Sequence, residues 1–177
     1  MAHFEKHLFV KKSTLPNAGK GLFTKVEIPK KSLVVEYKGK ITTWKDVKDD
    51  DGKNAYIFYV KRYHVIDAWK TMKPLARYAN DAKGLTRVKG VTNNCDYIIK
   101  GLKAFIETKR AIPAGGEIFV DYGPDYWKVI RENIETDAEA KKKEKEKAKK
   151  KQKAKKKQKK VTHKTPKRVD THLKRKK

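Results

Sequence analysis

The most informative segment of the chain runs Lys109-Arg110-Ala111-Ile112-Pro113-Ala114-Gly115-Gly116-Glu117-Ile118-Phe119-Val120-Asp121-Tyr122-Gly123. Its Pro-Ala-Gly-Gly sequence predicts a turn, and the apolar run after it predicts a short strand over 117–121. The strand ends in Asp-Tyr-Gly, directly before an aromatic-rich helix start. Because the glycine leaves room beside the ring, Tyr122 could present its hydroxyl in a pocket. The competing interpretation is that Tyr122 and Trp127 only pack the edge of the core.

Short strands separated by turns are also predicted for the rest of residues 1–137. Apolar and β-branched runs, most of them bounded by Gly, Pro, Asn or Asp, predict strands at 4–10, 33–37, 56–60, 64–67, 97–99 and 104–107. Without alternation of strands and long helices, this pattern indicates small sheets of mostly antiparallel pairs. Helical features occur at 71–81 and, with a proline at the start and apolar residues at helical spacing, at about 124–135. The predicted fold class is mostly β with short helices.

The charge of the chain is distributed unevenly. The 177 residues carry 47 Lys and Arg against 21 Asp and Glu, a formal net charge of +26. Residues 138–177 contribute 21 basic and 4 acidic side chains and contain no Phe, Trp or Tyr. Because like charges at i,i+4 oppose a helix and no apolar area can be buried there, we expect a disordered basic tail, or one that is helical only when a polyanion neutralises it. Residues 1–137 form the one predicted domain.

Composition excludes several classes of protein and site. A single cysteine, Cys95, excludes a disulfide framework and a multi-cysteine zinc site, so no metal site is expected. No apolar run approaches the roughly 18 residues of a membrane span, and the N-terminal sequence lacks a signal-peptide core. The acidic run at 49–52 lacks the spacing of a calcium-binding loop and is interpreted as a solvated turn. We therefore expect an intracellular protein without membrane contact.

Three further patches contain residues suited to ligand binding. Gly19-Lys20-Gly21 would let the backbone approach a ligand closely, although a tight turn uses the same residues. It lacks the third glycine and the following helix of a dinucleotide fingerprint. Asn80 offers two donors and an acceptor to a zwitterion, although a lone Asn is more often a cap or a turn residue. Cys95 is by default a small buried hydrophobe.

In this order, the patches resemble the SET-domain family of protein-lysine methyltransferases, over about residues 5–135. The small stand-alone SET proteins of large DNA viruses and some bacteria also end in a similar Tyr-Gly-x-x-Tyr-Trp sequence. The matching positions are 19–21 for Gly-x-Gly, 37–39 for Tyr-x-Gly, 66–68 for Ile-Asp-Ala, 77–80 for part of Arg-Phe-x-Asn-His-Ser, and 110–123 for the segment that ends in Asp-Tyr-Gly.

The sequence departs from the family pattern at two places. The His-Ser that follows the family's Asn is Asp81-Ala82 here, so the hydrogen bonds that the His side chain normally makes cannot be assumed. The family's Pro-Asn-Cys turn is 93–95 here, after an insert around 84–91. Because no cysteine follows the domain, the zinc-binding post-SET cap cannot form. The helix that carries Tyr126 and Trp127 is expected to wall the lysine channel instead.

The resemblance implies several small sheets with a knot-like crossing at the active site, and S-adenosylmethionine-dependent methyl transfer to a lysine ε-amine. It implies that Tyr122 is the catalytic residue, orienting the target amine and also touching the cofactor. The other implied cofactor-binding residues are Lys20, Gly21 and Leu22 through backbone groups, Asn80 at the amino-acid end, and Asp81 near the adenine through main-chain atoms. The implied substrate channel consists of Tyr37, Tyr97, Tyr126 and Trp127.

Several partners are compatible with this interpretation. The resemblance implies a protein substrate with an exposed lysine, with histones and histone-like proteins as candidates, and a homodimer is a candidate assembly. The tail at 138–177 is a candidate nucleic-acid-binding arm and nuclear localisation signal. This predicts a nuclear, chromatin-associated protein in a eukaryotic cell or host, and otherwise one in the cytoplasm or nucleoid. The competing function is an inert SET-like domain whose tail binds or compacts DNA.

Overall fold

Nine short strands form three small antiparallel sheets in the computed structural model, which describes residues 4–50, 52–85 and 87–162, with side chains up to 152. One sheet has the order β1-β2-β9, the second β3-β8-β7 and the third β4-β6-β5. The strands are β1 (Leu8–Lys12), β2 (Lys20–Thr24), β3 (Leu33–Tyr37), β4 (Lys40–Thr42), β5 (Ile57–Lys61), β6 (His64–Asp67), β7 (Cys95–Lys100), β8 (Lys103–Thr108) and β9 (Glu117–Ile118).

The predicted mostly-β class is confirmed, with differences at individual elements. Strand β2 begins at Lys20, so the Gly-x-Gly motif runs into a strand rather than forming a loop. Its pairing with both β1 and β9 outweighs the local turn preference of the two glycines. The helix considered at 71–81 is only a 3-10 turn at Ala76–Tyr78, because Pro74 disfavours helical backbone before it. A further short helix, α1 (Trp44–Val47), follows β4.

The segment that follows the Gly-Gly turn crosses between two other parts of the chain. On one side, the Val120 amide donates to the Asn80 carbonyl at 2.9 Å. On the other side, the amides of Asn94 and Cys95 donate to the Phe119 carbonyl at 3.1 and 2.9 Å. The Asn94 side chain reinforces this side, donating to the Glu117 carbonyl and accepting from the Phe119 amide. The strand predicted over 117–121 is thus limited to β9, followed by isolated bridges at Phe119 and Val120. The crossing brings Asn80 beside these two residues, directly before the Asp-Tyr-Gly sequence.

The core consists mainly of apolar side chains, and Glu117 and Asp81 are the two buried acids of the described residues. The largest fully buried apolar side chains are Phe23, Leu22, Ile28, Ile106, Ile112, Ile118, Val34, Val35, Val65 and Val120. Glu117 is only 6% exposed, and its carboxylate accepts from the Ser13 hydroxyl at 2.7 Å and from the amide and hydroxyl of Thr14 at 2.8 and 2.6 Å. Gly21 faces this carboxylate so closely that a Cβ atom would overlap Glu117 Oε1.

We expect Gly21→Ala to destabilise the fold by about 1–3 kcal/mol, the usual range for forcing extra volume into a packed core. Urea or thermal unfolding followed by circular dichroism measures the loss. The matched control is the same substitution in a Glu117→Ala background, where the shortened side chain leaves room for the new methyl group. Gly21→Ala should cost clearly less there, and an equal cost in both backgrounds would show that the contact with Glu117 is not the cause.

The last helix, α2 (Pro124–Thr162), begins as predicted but continues far beyond residue 135. Residues 138–162 are therefore helical where the sequence predicts disorder, while the same prediction for 163–177 falls outside the described residues. Ala, Lys, Glu and Gln are all strong helix formers, and the Glu139–Lys143 pair at 4.0 Å offsets a little of the like-charge repulsion.

The chain divides into two units near the start of this helix. Within the described residues, one compact unit ends at Arg131 and a second begins at Glu132. The predicted domain boundary after residue 137 stays a prediction. In the described part of the chain, no helix combines the length and the apolar character that crossing a membrane requires.

Candidate active site

A cavity of about 680 Å³ opens beside the crossing, and its volume is in the range of small-molecule sites. Its lining comes from the loop before β2, from β3 and β5, from the segment around Asn80 and from the start of α2. Gly21 and Leu22 are buried and do not line it. The other eight predicted site residues all do, namely Lys20, Tyr37, Asn80, Asp81, Tyr97, Tyr122, Tyr126 and Trp127.

Asn80 is held at the cavity wall by both its backbone and its side chain. Its carbonyl accepts from Val120 in the crossing, and its Nδ2 donates to the Lys20 carbonyl at 3.0 Å. Its Oδ1 has no hydrogen-bond partner among the residues that the structure describes. The side chain is therefore fixed in orientation and keeps an acceptor for a ligand such as an ammonium group.

The Tyr122 hydroxyl is also fixed in position. It donates to the Ala79 carbonyl at 2.7 Å, which leaves its lone pairs to accept. The ring is stacked on Trp127 with centroids 5.9 Å apart and meets the edge of Tyr126 at 5.0 Å. Burial raises the pKa of the Tyr122 phenol well above its ordinary value, so the hydroxyl is neutral at physiological pH.

A second group of aromatic rings lines another part of the cavity. Tyr97 packs against Phe58 and Tyr37, with ring centroids 4.9 and 5.8 Å apart. The Tyr37 hydroxyl donates to the Tyr56 carbonyl at 3.1 Å. Burial also raises the pKa of Tyr37 and of Tyr97, so both phenols stay neutral. The result is an apolar, aromatic wall whose polar atoms are hydroxyl groups.

The Asp81 side chain has contacts that the sequence did not reveal. Its Oδ2 accepts from the Trp127 indole N–H at 2.7 Å and from the Tyr122 amide at 3.0 Å. Its Oδ1 accepts from the Lys83 amide at 2.7 Å and from Asn93 Nδ2 at 2.8 Å. The resemblance assigns Asp81 a main-chain contact with the cofactor, and local sequence gives no sign of this side-chain network.

Arg77 also lines the cavity, although it was not among the predicted site residues. It is only 9% exposed, and its guanidinium carbon lies 4.0 Å from the centroid of the Tyr56 ring. One Nη donates to the Trp69 carbonyl at 3.3 Å and the other contacts the Met72 sulfur. Its Nε has no hydrogen-bond partner within the described ranges, and no carboxylate there pairs with it. A permanent positive charge at this wall disfavours a second cation nearby.

Neither a metal-binding cluster nor a reactive thiol occurs in residues 4–50, 52–85 and 87–162. No three side chains of His, Cys, Asp or Glu in these ranges lie close enough together to hold a metal ion. Cys95 is fully buried in the core, and burial raises the pKa of its thiol to about 12. The thiolate that would act as a nucleophile is therefore scarce at neutral pH.

The sequence of this chain is similar to that of known proteins. A family model for the SET domain matches residues 19–123, from the first glycine of the Gly-x-Gly motif to the glycine of the Asp-Tyr-Gly sequence. The curated histone-lysine N-methyltransferase 2D proteins of Homo sapiens and Mus musculus are each 31% identical over 114 residues, which cover 61% of this chain. The match spans only 2% of the length of those relatives. This chain belongs to the SET-domain family.

Proposed function

We propose that this chain transfers a methyl group from S-adenosylmethionine to the ε-amine of a lysine in a protein. Family membership supports lysine methyl transfer in general. The observation that carries the finer proposal is the position of the Tyr122 hydroxyl. It is fixed on Ala79 in a cavity that is lined both by Asn80 and by the aromatic wall of Tyr37 and Tyr97.

The cavity has the features that the cofactor requires. Its volume suits a nucleoside-sized ligand, and Asn80 Oδ1 would accept from the cofactor ammonium. When bound, the cofactor would supply a sulfonium methyl group, which the lysine nitrogen attacks as the carbon–sulfur bond breaks, leaving S-adenosylhomocysteine and a methylated ammonium that releases a proton to water. The residues of this chain act by holding and aligning the reactants.

The protein must also favour the neutral form of the substrate amine. With a reference pKa of about 10.4, only about one lysine in 2,500 is neutral at pH 7. The aromatic wall of Tyr37 and Tyr97 desolvates the ammonium, and the buried guanidinium of Arg77 adds repulsion. Both effects lower the pKa of a lysine in the cavity and raise the reactive fraction. The neutral hydroxyls of Tyr37, Tyr97 and Tyr122 can then accept from the amine.

We expect kcat/KM to rise with pH through the neutral range and to show no falling limb below about pH 10, the ordinary pKa of tyrosine. Burial raises the pKa of four of the tyrosines that line the cavity, Tyr37, Tyr97, Tyr122 and Tyr126, so these four remain protonated throughout. Since these folded-state pKa values exceed the unfolded ones, their contribution to stability is complete below about pH 10 and is lost as the pH rises further. Initial rates in constant-ionic-strength buffers test this profile, and a decline near pH 8 would contradict it.

The proposal is tested by incubating the protein with isotope-labelled S-adenosylmethionine, core histones and a cell extract, followed by mass spectrometry. We expect label on lysine side chains of one or a few proteins, mainly as the monomethyl product because the aromatic wall leaves little room. Histones are the first candidates because both curated relatives are named histone-lysine N-methyltransferases. Mainly trimethylated product would contradict the narrow channel, and no labelled protein in any fraction would favour an inert domain.

The Lys-rich part of α2 supports a second, compatible function, which is binding to nucleic acid. The described side chains from Lys141 to Gln152 are all exposed, and most of them are lysines. Such a helix can neutralise phosphates without sequence preference, and its affinity should fall steeply with salt. Binding would place the protein on chromatin in a nucleus, or on the nucleoid in a bacterium. Fluorescence anisotropy with labelled DNA at increasing salt tests this, and a salt-independent affinity would argue against it.

A further inference from the structure

We propose that Asp81 is a positioning residue that fixes Trp127 and Tyr122. It occupies the position at which the family usually has the histidine that follows its Asn. The inference rests on the proposed function, since it concerns the same site. Asp81 acts through its neighbours rather than on the reacting atoms. Its carboxylate joins Tyr122, in the Asp-Tyr-Gly sequence, to Trp127 at the start of α2.

All four hydrogen bonds of the Asp81 side chain require a hydrogen-bond acceptor at position 81. The partners are the Trp127 indole N–H, the Tyr122 amide, the Lys83 amide and Asn93 Nδ2, and each of them is a donor. An ionised carboxylate accepts at about four lone-pair positions and donates at none, so this set matches it fully. Asp81 is 5% exposed, and the four bonds compensate the cost of burying its charge.

The environment of the charge supports this assignment. Within the described residues, Asp81 forms no ion pair, because the nearby Lys83 ammonium bonds to Asp121 at 2.6 Å instead. A buried carboxylate that is satisfied only by N–H donors depends on all of them being held in place. Asn93 contributes a second link, since its Oδ1 accepts from the Ala82 amide at 2.8 Å. The network therefore couples the loop after Asn80 to the wall of the cavity.

The Trp127 ring has a second, independent constraint on its other edge. Gly84 lies so close to it that a Cβ atom would come within 2.8 Å of the ring carbon Cη2. The indole is thus held by Asp81 at its N–H and accommodated by the missing side chain of Gly84. Because Trp127 stacks on Tyr122, displacing the indole removes the support on one face of the Tyr122 ring.

These contacts predict how strongly each substitution of Asp81 lowers kcat/KM. The predicted order differs from the one that resemblance to the family alone would suggest. Asp81→Asn keeps the size but turns an NH2 group toward two of the four donors. Asp81→His introduces the family's usual residue, yet a neutral imidazole accepts at only one nitrogen and leaves most of the donors unpaired. We expect kcat/KM to be highest in the parent protein, lower in Asp81→Asn and lowest in Asp81→His. The substitution toward the family pattern is therefore expected to reduce kcat/KM most.

The test measures the environment of Trp127 by its fluorescence and measures methyl transfer in a separate assay. In a Trp44→Phe/Trp69→Phe background, Trp127 is the sole tryptophan. Asp81→Asn and Gly84→Ala should each shift its emission to longer wavelength and increase its quenching by acrylamide. In the enzyme with all tryptophans, both should lower kcat/KM by about tenfold or more, the scale of a small misplacement in an active site. Asp81→Asn should have a smaller effect on kcat/KM once Trp127 is replaced by Phe.

The possible outcomes distinguish a failure of the positioning role of Asp81 from a failure of the proposed methyl-transfer function. Unchanged fluorescence in both variants, independent effects of Asp81→Asn and Trp127→Phe, or full activity in Asp81→His would overturn the positioning role. If the parent protein transfers no methyl group while the fluorescence changes as expected, the proposed function fails and the positioning of Trp127 stands. If Asp81→Asn does not fold, Gly84→Ala decides the question, because it moves the indole and leaves the carboxylate intact.

Discussion

Replacing Tyr122 with phenylalanine should lower kcat by about 100-fold or more, the range for removing one preorganised polar group from an active site. The substitution keeps the ring that stacks on Trp127 and removes only the hydroxyl. The amine then loses the acceptor that orients it, while the apolar wall is unchanged. Steady-state rates with labelled cofactor measure the effect.

Stability provides the first control for this prediction. The lost hydrogen bond to Ala79 should cost only about 1 kcal/mol, so the melting temperature should change little. Tyr59→Phe is the matched control, because that tyrosine is 52% exposed on β5 and does not line the cavity. Tyr59→Phe should keep its rate. Unchanged turnover in Tyr122→Phe would make Tyr122 a packing residue only.

Asn80→Ala should weaken cofactor binding by about tenfold or more, which corresponds to about 1.4 kcal/mol or more. The substitution removes the Oδ1 acceptor that faces the cavity and the bond that ties Asn80 to the Lys20 carbonyl. Isothermal titration with S-adenosylmethionine and with S-adenosylhomocysteine measures the affinity of each variant.

Asn80→Ala should weaken cofactor binding rather than slow the methyl-transfer step. At saturating cofactor, Asn80→Ala should recover most of the parent turnover, and the KM for the protein substrate should be similar. The backbone bond from Val120 to the Asn80 carbonyl is kept, so the crossing remains in place. Equal cofactor affinity in the two proteins would remove Asn80 from the site.

Local sequence predicted those strands and helix ends that are determined by residues close together in the chain. The apolar runs at 33–37 and 64–67 coincide with β3 and β6, and the proline at 124 begins the last helix. The resemblance assigned ten residues to one site, and eight of them line the same cavity, while Gly21 and Leu22 do not. The strands follow from short-range pattern, and the assignment of residues to the site follows from the resemblance.

The features that were missed depend on contacts between distant segments. Strand β2 exists because it pairs on both sides, and Gly21 is required there by the side chain of Glu117, far along the sequence. The four bonds of Asp81 come from four positions that only the crossing brings together. The length of α2 has a different cause, because the helix propensity of Lys, Ala and Glu outweighs the charge repulsion from which disorder was predicted.

A crystal structure with S-adenosylhomocysteine and a lysine-containing substrate peptide tests the central claim most directly. The account predicts the cofactor beside Asn80 and the lysine between Tyr37 and Tyr97, with the cofactor sulfur and the lysine nitrogen meeting next to the Tyr122 hydroxyl. A cofactor bound elsewhere, or a lysine that does not reach Tyr122, would contradict it.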